Sequence, residues 1–193
     1  DTPASHVMVT VTHTGSRNIA VWSLDENLNE EDLLVNEIGS YSGTTIVPAD
    51  SAALSIEADG HWTVTIEPIT AAPTFSDTYT GSGDSVVIYT GDKGVANLAH
   101  SGDSNFAVWA YPEDGRSDLL VNDIGSYTGQ SIMPGGPTVL VVSADGDWSE
   151  AQWVGVTEPE GTTSPDNTVD AVISEYEVTV NGIQEARDLL VDG

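Results

Sequence analysis

Apolar and polar residues alternate with a period of two along most of this chain, and helical periodicity is nearly absent. Val7, Val9 and Val11 face one way while Met8, Thr10 and Thr12 face the other. Leu54, Ile56 and Ala58 alternate with Ala53, Ser55 and Glu57, and Trp62, Val64 and Ile66 alternate with Thr63 and Thr65. Successive side chains of an extended backbone point to opposite faces, so the pattern predicts half-buried strands. Turn-forming pairs punctuate the runs: Thr14-Gly15, Ser42-Gly43, Asp59-Gly60, Gly91-Asp92 and Asp145-Gly146. Many short strands between such turns predict an all-β fold of antiparallel β-sandwiches, jelly-roll or Ig-like. Only the stretch 183–191 has the pattern of a helical turn or two.

The pattern is written twice. Asp32-Leu-Leu-Val-Asn-Glu-Ile-Gly-Ser-Tyr-Ser-Gly43 recurs as Asp118-Leu-Leu-Val-Asn-Asp-Ile-Gly-Ser-Tyr-Thr-Gly129, identical at ten of twelve positions. His13 to Trp22 matches His100 to Trp109, and Ala58-Asp-Gly-His-Trp62 matches Ala144-Asp-Gly-Asp-Trp148, at offsets of 87 and 86 residues. A feature shared by both copies reads as scaffold, and a feature of one copy alone is dispensable to it. The organisation predicted is copy one over 1–68, a linker over 69–74, copy two over 75–159 and a tail over 160–193. Pro68 and Pro73 predict an extended, semi-rigid linker.

In the order of these motifs the chain resembles a repeat domain of secreted bacterial and haloarchaeal cell-surface proteins, with a layout like the pre-peptidase C-terminal β-sandwich. The resemblance spans residues 4–66 and 82–153. It implies an extracellular module, often accessory or adhesive, and it transfers no catalytic residue.

Copy two opens with Ser85-Val-Val-Ile-Tyr-Thr90, with Val86 and Ile88 on one face, a strand for which copy one has no counterpart. The tail holds Ser174-Glu-Tyr-Glu-Val-Thr-Val180, which places Tyr176, Val178 and Val180 on an apolar face and Glu175, Glu177 and Thr179 on a polar one. It reads as the opening strand of a third copy. A sheet edge without its neighbour is a template for pairing, and a lone strand is not stable. Strand addition of the tail to copy one is therefore expected, with Tyr176, Val178 and Val180 as donor and Val7, Val9 and Val11 as acceptor edge. Within one chain it closes a compact molecule; between chains it is a heterologous contact that propagates into a polymer. Packing of the tail beside its own domain is the third route.

Composition narrows the partners. Four basic residues against 31 acidic ones give a formal charge of −27. Such a field repels nucleic acid and anionic lipid. It suits a protein kept hydrated in molar salt, where the Debye length is about 3 Å, and an acidic or calcium-rich extracellular niche fits the same charge. The absence of cysteine removes disulfide and thiol chemistry. No apolar run approaches the ~18 residues of a membrane span, so membrane insertion is not expected. No signal peptide is visible, and Asp1 reads as a mature or trimmed start.

Candidate chemistry is sparse. Gly102-Asp-Ser-Asn105 imitates the nucleophile block of a serine esterase, but no histidine follows His100 to act as base, and copy one has Gly15-Ser-Arg-Asn18 there. It reads as a turn, as does Gly81-Ser-Gly83. His6, His13, His61 and His100 lack metal-ligand spacing. Asp25, Asn27, Asn29 and Glu31 open like an EF-hand loop, yet Glu30 stands at the glycine position and Asn36 at the bidentate glutamate. No cofactor is expected, with calcium the one ion this spacing leaves open. Trp62 and Trp148 are assigned to the core. Core is also preferred for Trp22 and Trp109, although outward rings there could stack on surface glycans. The whole describes a non-enzymatic protein whose sites serve self-association or, alternatively, carbohydrate or surface binding.

Overall fold

The computed structural model describes residues 7–113 and 115–155, with 149–155 described by backbone alone. The tail with Tyr176, Val178 and Val180, the stretch 183–191 and His6 lie outside the described residues. The fold is all-β, and its sheets are antiparallel apart from one short parallel pairing.

Copy one contributes β1 (Val7–His13), β2 (Asn18–Leu24), β3 (Glu30–Ile38), β4 (Tyr41–Val47), β5 (Ala53–Ala58) and β6 (Trp62–Pro68). They form two three-stranded sheets, ordered β4-β1-β6 and β3-β2-β5. Val9 and Val11 from one sheet and Ile19 and Val21 from the other are fully buried in a shared core, completed by Val35 and Val47. The predicted alternation is the reason: these residues share the inward face of their strands, while Thr10 and Thr12 face away.

Three further strands precede the repeat in copy two: β7 (Thr74–Phe75), β8 (Gly81–Ser82) and β9 (Ser85–Tyr89). β10 (Gly94–His100), β11 (Asn105–Pro112), β12 (Asp118–Ile124), β13 (Tyr127–Met133), β14 (Thr138–Ala144) and β15 (Asp147–Gly155) then reproduce β1 to β6 in order. The sheets are β13-β10-β15-β8 and β12-β11-β14-β9-β7. Among the described residues, fifteen buried ones form this core, against six in copy one. Val87 and Tyr89 of β9, Phe75 of β7 and Trp148 account for part of the difference.

The segment joining the copies departs from the extended linker expected. Ile69–Ala71 forms a single 3-10 turn, and Ile69 and Ala72 are buried. They belong to a third apolar cluster with Met8 and Ile46 of copy one and Val86, Val139 and Val141 of copy two. The two prolines set extended backbone on either side of the turn, but burial of two apolar side chains decides its path. The outer face of β1 and β4 thus packs on the outer face of β9 and β14, and the copies are one packed body rather than beads on a string.

The repeated sentence has a structural meaning. His13 and His100 are buried, and their Nδ1 atoms lie 2.7 and 2.9 Å from the carbonyls of Gly39 and Gly125. Asp59 accepts the N–H groups of Ser16 and Arg17; Asp145 accepts those of Asp103 and Ser104. Histidine and aspartate thus clamp the same turn in each copy, including the Gly102-Asp-Ser-Asn105 segment. A Cβ at Gly15 or Gly102 would overlap the imidazole and the aspartate, so the turn requires glycine.

Candidate functional site: the open flank of copy one

In copy two, β9 pairs antiparallel with β14, matching Val139 to Ile88 and Val141 to Val86. β8 pairs with the first residues of β15, setting Gly81 opposite Trp148. The stretch from β8 to β9 therefore passes from the edge of one sheet to the edge of the other and closes one side of the sandwich. In copy one the equivalent strands are β5 and β6. Each pairs on one side, β5 with β2 and β6 with β1, and among the described residues neither has a partner on the other.

The consequence for the side chains is direct. Leu140 and Val142 of β14 are buried, whereas their counterparts Leu54 and Ile56 are half-buried. Trp148 is buried at 6 % exposure, its ring lying against Gly81 and stacked on Tyr79 at 5.7 Å, its Nε1 donating to the Gly83 carbonyl at 3.0 Å. Trp62 occupies the same motif position and is 45 % exposed, with Ile66 of the same inward face also exposed. The assignment of Trp62 to the core is therefore corrected: with no strand covering β6 among the described residues, the ring stands at the rim of the sandwich. Copy one presents an apolar flank bounded by two strand edges, the feature that invites strand addition.

The expected acceptor is corrected as well. Val7, Val9 and Val11 lie on β1, which is hydrogen-bonded to β4 along one side and β6 along the other, so it is the middle of its sheet. The strand that opens copy two is adjacent in sequence to β10 yet pairs with β14. Sequence order suggested the first strand as neighbour; topology assigns the edge to the fifth.

Trp22 and Trp109 depart from the core preference. Val21 and Val108 take the inward positions at 0 and 2 % exposure, so alternation turns the neighbouring rings outward. Trp22 is half-buried and Trp109 is 40 % exposed, beside the cross-strand neighbours Leu33 and Leu119 respectively.

Asp84, which sequence reasoning passed over, fastens the copies together. Its carboxylate accepts the Tyr41 hydroxyl at 2.7 Å and the Ala144 N–H at 2.9 Å, and its carbonyl accepts the Thr44 N–H at 2.9 Å. Burial, then the Asp84 charge, pushes the Tyr41 phenol far above its ordinary value. Tyr41 lines a polar cleft of about 260 Å³ with Glu37, Asp84 and Asp145. The Glu37 carboxyl is raised by burial and by those two carboxylates. The Gly83-Asp84 turn after β8 was the available signal, but nothing local tells that its carboxylate reaches the other repeat.

The EF-hand-like run is an ordinary turn. Asp25 accepts N–H groups from Asn27 and Asn29 at 2.8 Å and the Asn29 side-chain amide at 2.9 Å, which lower its pKa, the Asn29 side chain most. Among the described residues no group of three or more His, Cys, Asp or Glu is placed to hold a metal ion. No helix among them is long and apolar enough to cross a membrane. No family model matches this chain, and no curated protein matches it.

Proposed function

We propose that this chain is a non-enzymatic, extracellular structural subunit that assembles head to tail by β-strand donation into a surface filament. The tail around 169–182 of one chain fills the flank between β5 and β6 in the next, with Tyr176, Val178 and Val180 turned to its apolar side. The observation that carries this reading is the contrast between the copies: β8 and β9 cover one sandwich, and the matching edges of the other have no partner among the described residues. The resemblance to cell-surface repeats and the −27 charge agree with an extracellular, high-salt setting. Backbone hydrogen bonding along β5 supplies register, and burial of three apolar side chains contributes roughly 1.5–3 kcal/mol each.

Electron microscopy in molar salt of the full chain, beside a chain ending at Glu160, tests it. Filaments that vanish on truncation are expected. Monodisperse particles in both preparations refute it and favour a second reading, a carbohydrate- or surface-binding module. The outward Trp109 ring, 40 % exposed beside Leu119, supports that alternative.

A further inference from the structure

We infer that copy two carries a docking face for copy one of a second copy of this chain, built from Val95, Ile132, Lys93 and Arg116. This rests on the head-to-tail assembly proposed above and says which surfaces meet.

Copy one docks on copy two through Met8 and Ile46, on the outer face of β1 and β4. The repeat offsets make Val95 and Ile132 their counterparts in copy two. Both pairs sit at the same end of their strands, and the polar neighbours match: Thr10 bonds Thr44 at 3.0 Å, and Asn97 bonds Gln130 at 2.7 Å. Ile46 is covered by copy two, but Ile132 is 66 % exposed. The surface that makes the interface inside the chain is therefore displayed a second time without an occupant among the described residues.

Charge selects the occupant. Ile132 borders a cleft of about 480 Å³ that is also lined by Lys93, Arg116, Asp118 and Pro112. The chain has only four basic residues, and this cleft gathers two of them. Neither has an ion-pair partner among the described residues. At the same end of copy one, Arg116 is replaced by Glu30, Pro112 by Asp25 and Gly136 by Asp50. The negative charge there is dense: desolvation first, then Asp50, Asp25 and Asp32 raise the Glu31 carboxyl. The one scaffold thus carries an acidic end in copy one and, in copy two, a cleft in which Lys93 and Arg116 outnumber the Asp118 carboxylate.

Repeating the internal packing brings these ends together. Tyr111 of copy two lies within the field of Asp32 of copy one, which adds to the effect of burial in raising its phenol. Moved along by one repeat, Asp118 meets Leu24 of the next chain, and the adjacent Arg116 meets the loops holding Asp25, Glu30 and Asp50. Val139, which packs in the internal cluster, corresponds to Ala53. Ile132 of one chain then lies over Ala53 of the next, beside the β5 edge that receives the tail. Strand donation and face docking are two parts of one junction, with the geometry the chain already uses between its own halves.

The absence of cysteine makes the test clean. Chains carrying Ile132→Cys are mixed with chains carrying Ala53→Cys under mild oxidation in molar salt. Ile124→Cys, exposed at the opposite end of copy two, replaces the first partner as control. A disulfide-linked mixed dimer at least ten-fold above the control is expected, falling several-fold when Lys93→Glu and Arg116→Glu are added to the Ile132→Cys chain. Filaments by microscopy with no cross-link above control overturn the docking face and leave strand donation standing. An unmodified chain that sediments as a monomer at every salt concentration overturns both.

Discussion

Replacing each motif tryptophan by alanine puts the open flank to a quantitative test, because the two rings differ in cover and not in sequence context. Trp62 is 45 % exposed and Trp148 is 6 % exposed. For a side chain of roughly 230 Å², that difference is about 90 Å² of apolar surface, or ~2 kcal/mol at roughly 25 cal/mol per Å². The Nε1 hydrogen bond to Gly83 adds about 1 kcal/mol, and stacking on Tyr79 adds roughly 0.5–1.5 kcal/mol. Trp148→Ala should therefore cost about 4 kcal/mol more than Trp62→Ala, with Trp148→Ala itself near the top of the roughly 3–5 kcal/mol known for large aromatic truncations. Urea unfolding of dilute full-length chain in molar salt, followed by far-UV circular dichroism, reads both. Far-UV signal is preferred because removing a tryptophan alters the fluorescence itself. Equal losses would refute the reasoning, since they require Trp62 to be covered as thoroughly as Trp148 in the unassembled chain.

Two further outcomes follow from the repeated clamp and from the carboxylates. Gly15→Ala and Gly102→Ala should each destabilise by about 2 kcal/mol or more, because a Cβ drives into a buried histidine and its aspartate; Gly39→Ala, with open space around it, should cost only the strain of its positive φ. Stability should change in opposite senses on either side of about pH 4, read by thermal melts across a pH series. Glu37 and Glu31 are raised above 4.5, chiefly by desolvation, so the folded state binds their protons first and stability rises as pH falls through those raised values. Asp59 is lowered from 3.8 by the Arg17 and Ser16 N–H groups; Asp145 carries a larger desolvation effect that raises it, yet its hydrogen bonds leave it lowered too. Their contribution is complete above 3.8 and is lost as pH falls through the lowered values. Asp59→Asn should blunt that acid limb without touching the rise above it.

The period-two pattern made the strands and their inward faces legible. Val9, Val11, Ile19 and Val21 are fully buried because alternation alone decides which side of a strand a residue takes. Whether that side is covered is a different matter. Trp62 and Trp148 share a motif, but the segment that shields Trp148 comes from residues 79–83, more than sixty positions away. The same limit misplaced the acceptor edge, since β9 precedes β10 in sequence and pairs with β14 in space. Ile69 and Ala72 were read as linker because two prolines flank them, while their burial depends on Met8 and Val139 from either side. The tie made by Asp84 is equally nonlocal, spanning 43 residues to Tyr41 and 60 to Ala144. Local pattern reports a residue's orientation; topology supplies its neighbours.

Duplication within one chain separates scaffold from use with a control that a single domain lacks. The histidine clamp, the turn glycines and the inward valines recur and have structural roles in both copies, so they carry no information about partners. Two differences among the described residues bear on partners. One is the flank of β5 and β6, without a partner strand among the described residues in copy one and closed by β8 and β9 in copy two. The other is the end of the sandwich bearing Asp25, Glu30 and Asp50 in copy one and a cleft with Lys93 and Arg116 in copy two. Two of the four basic groups of a chain of charge −27 stand together in this cleft, and the docking proposed above sets them against the acidic end of the other repeat. A closed pair would need one patch to face itself, as in a two-fold dimer. These two ends differ in charge and lie on different repeats, so the docking proposed between them is heterologous and would leave a fresh end exposed after every addition. Under the proposed head-to-tail docking, that asymmetry would build an array that grows.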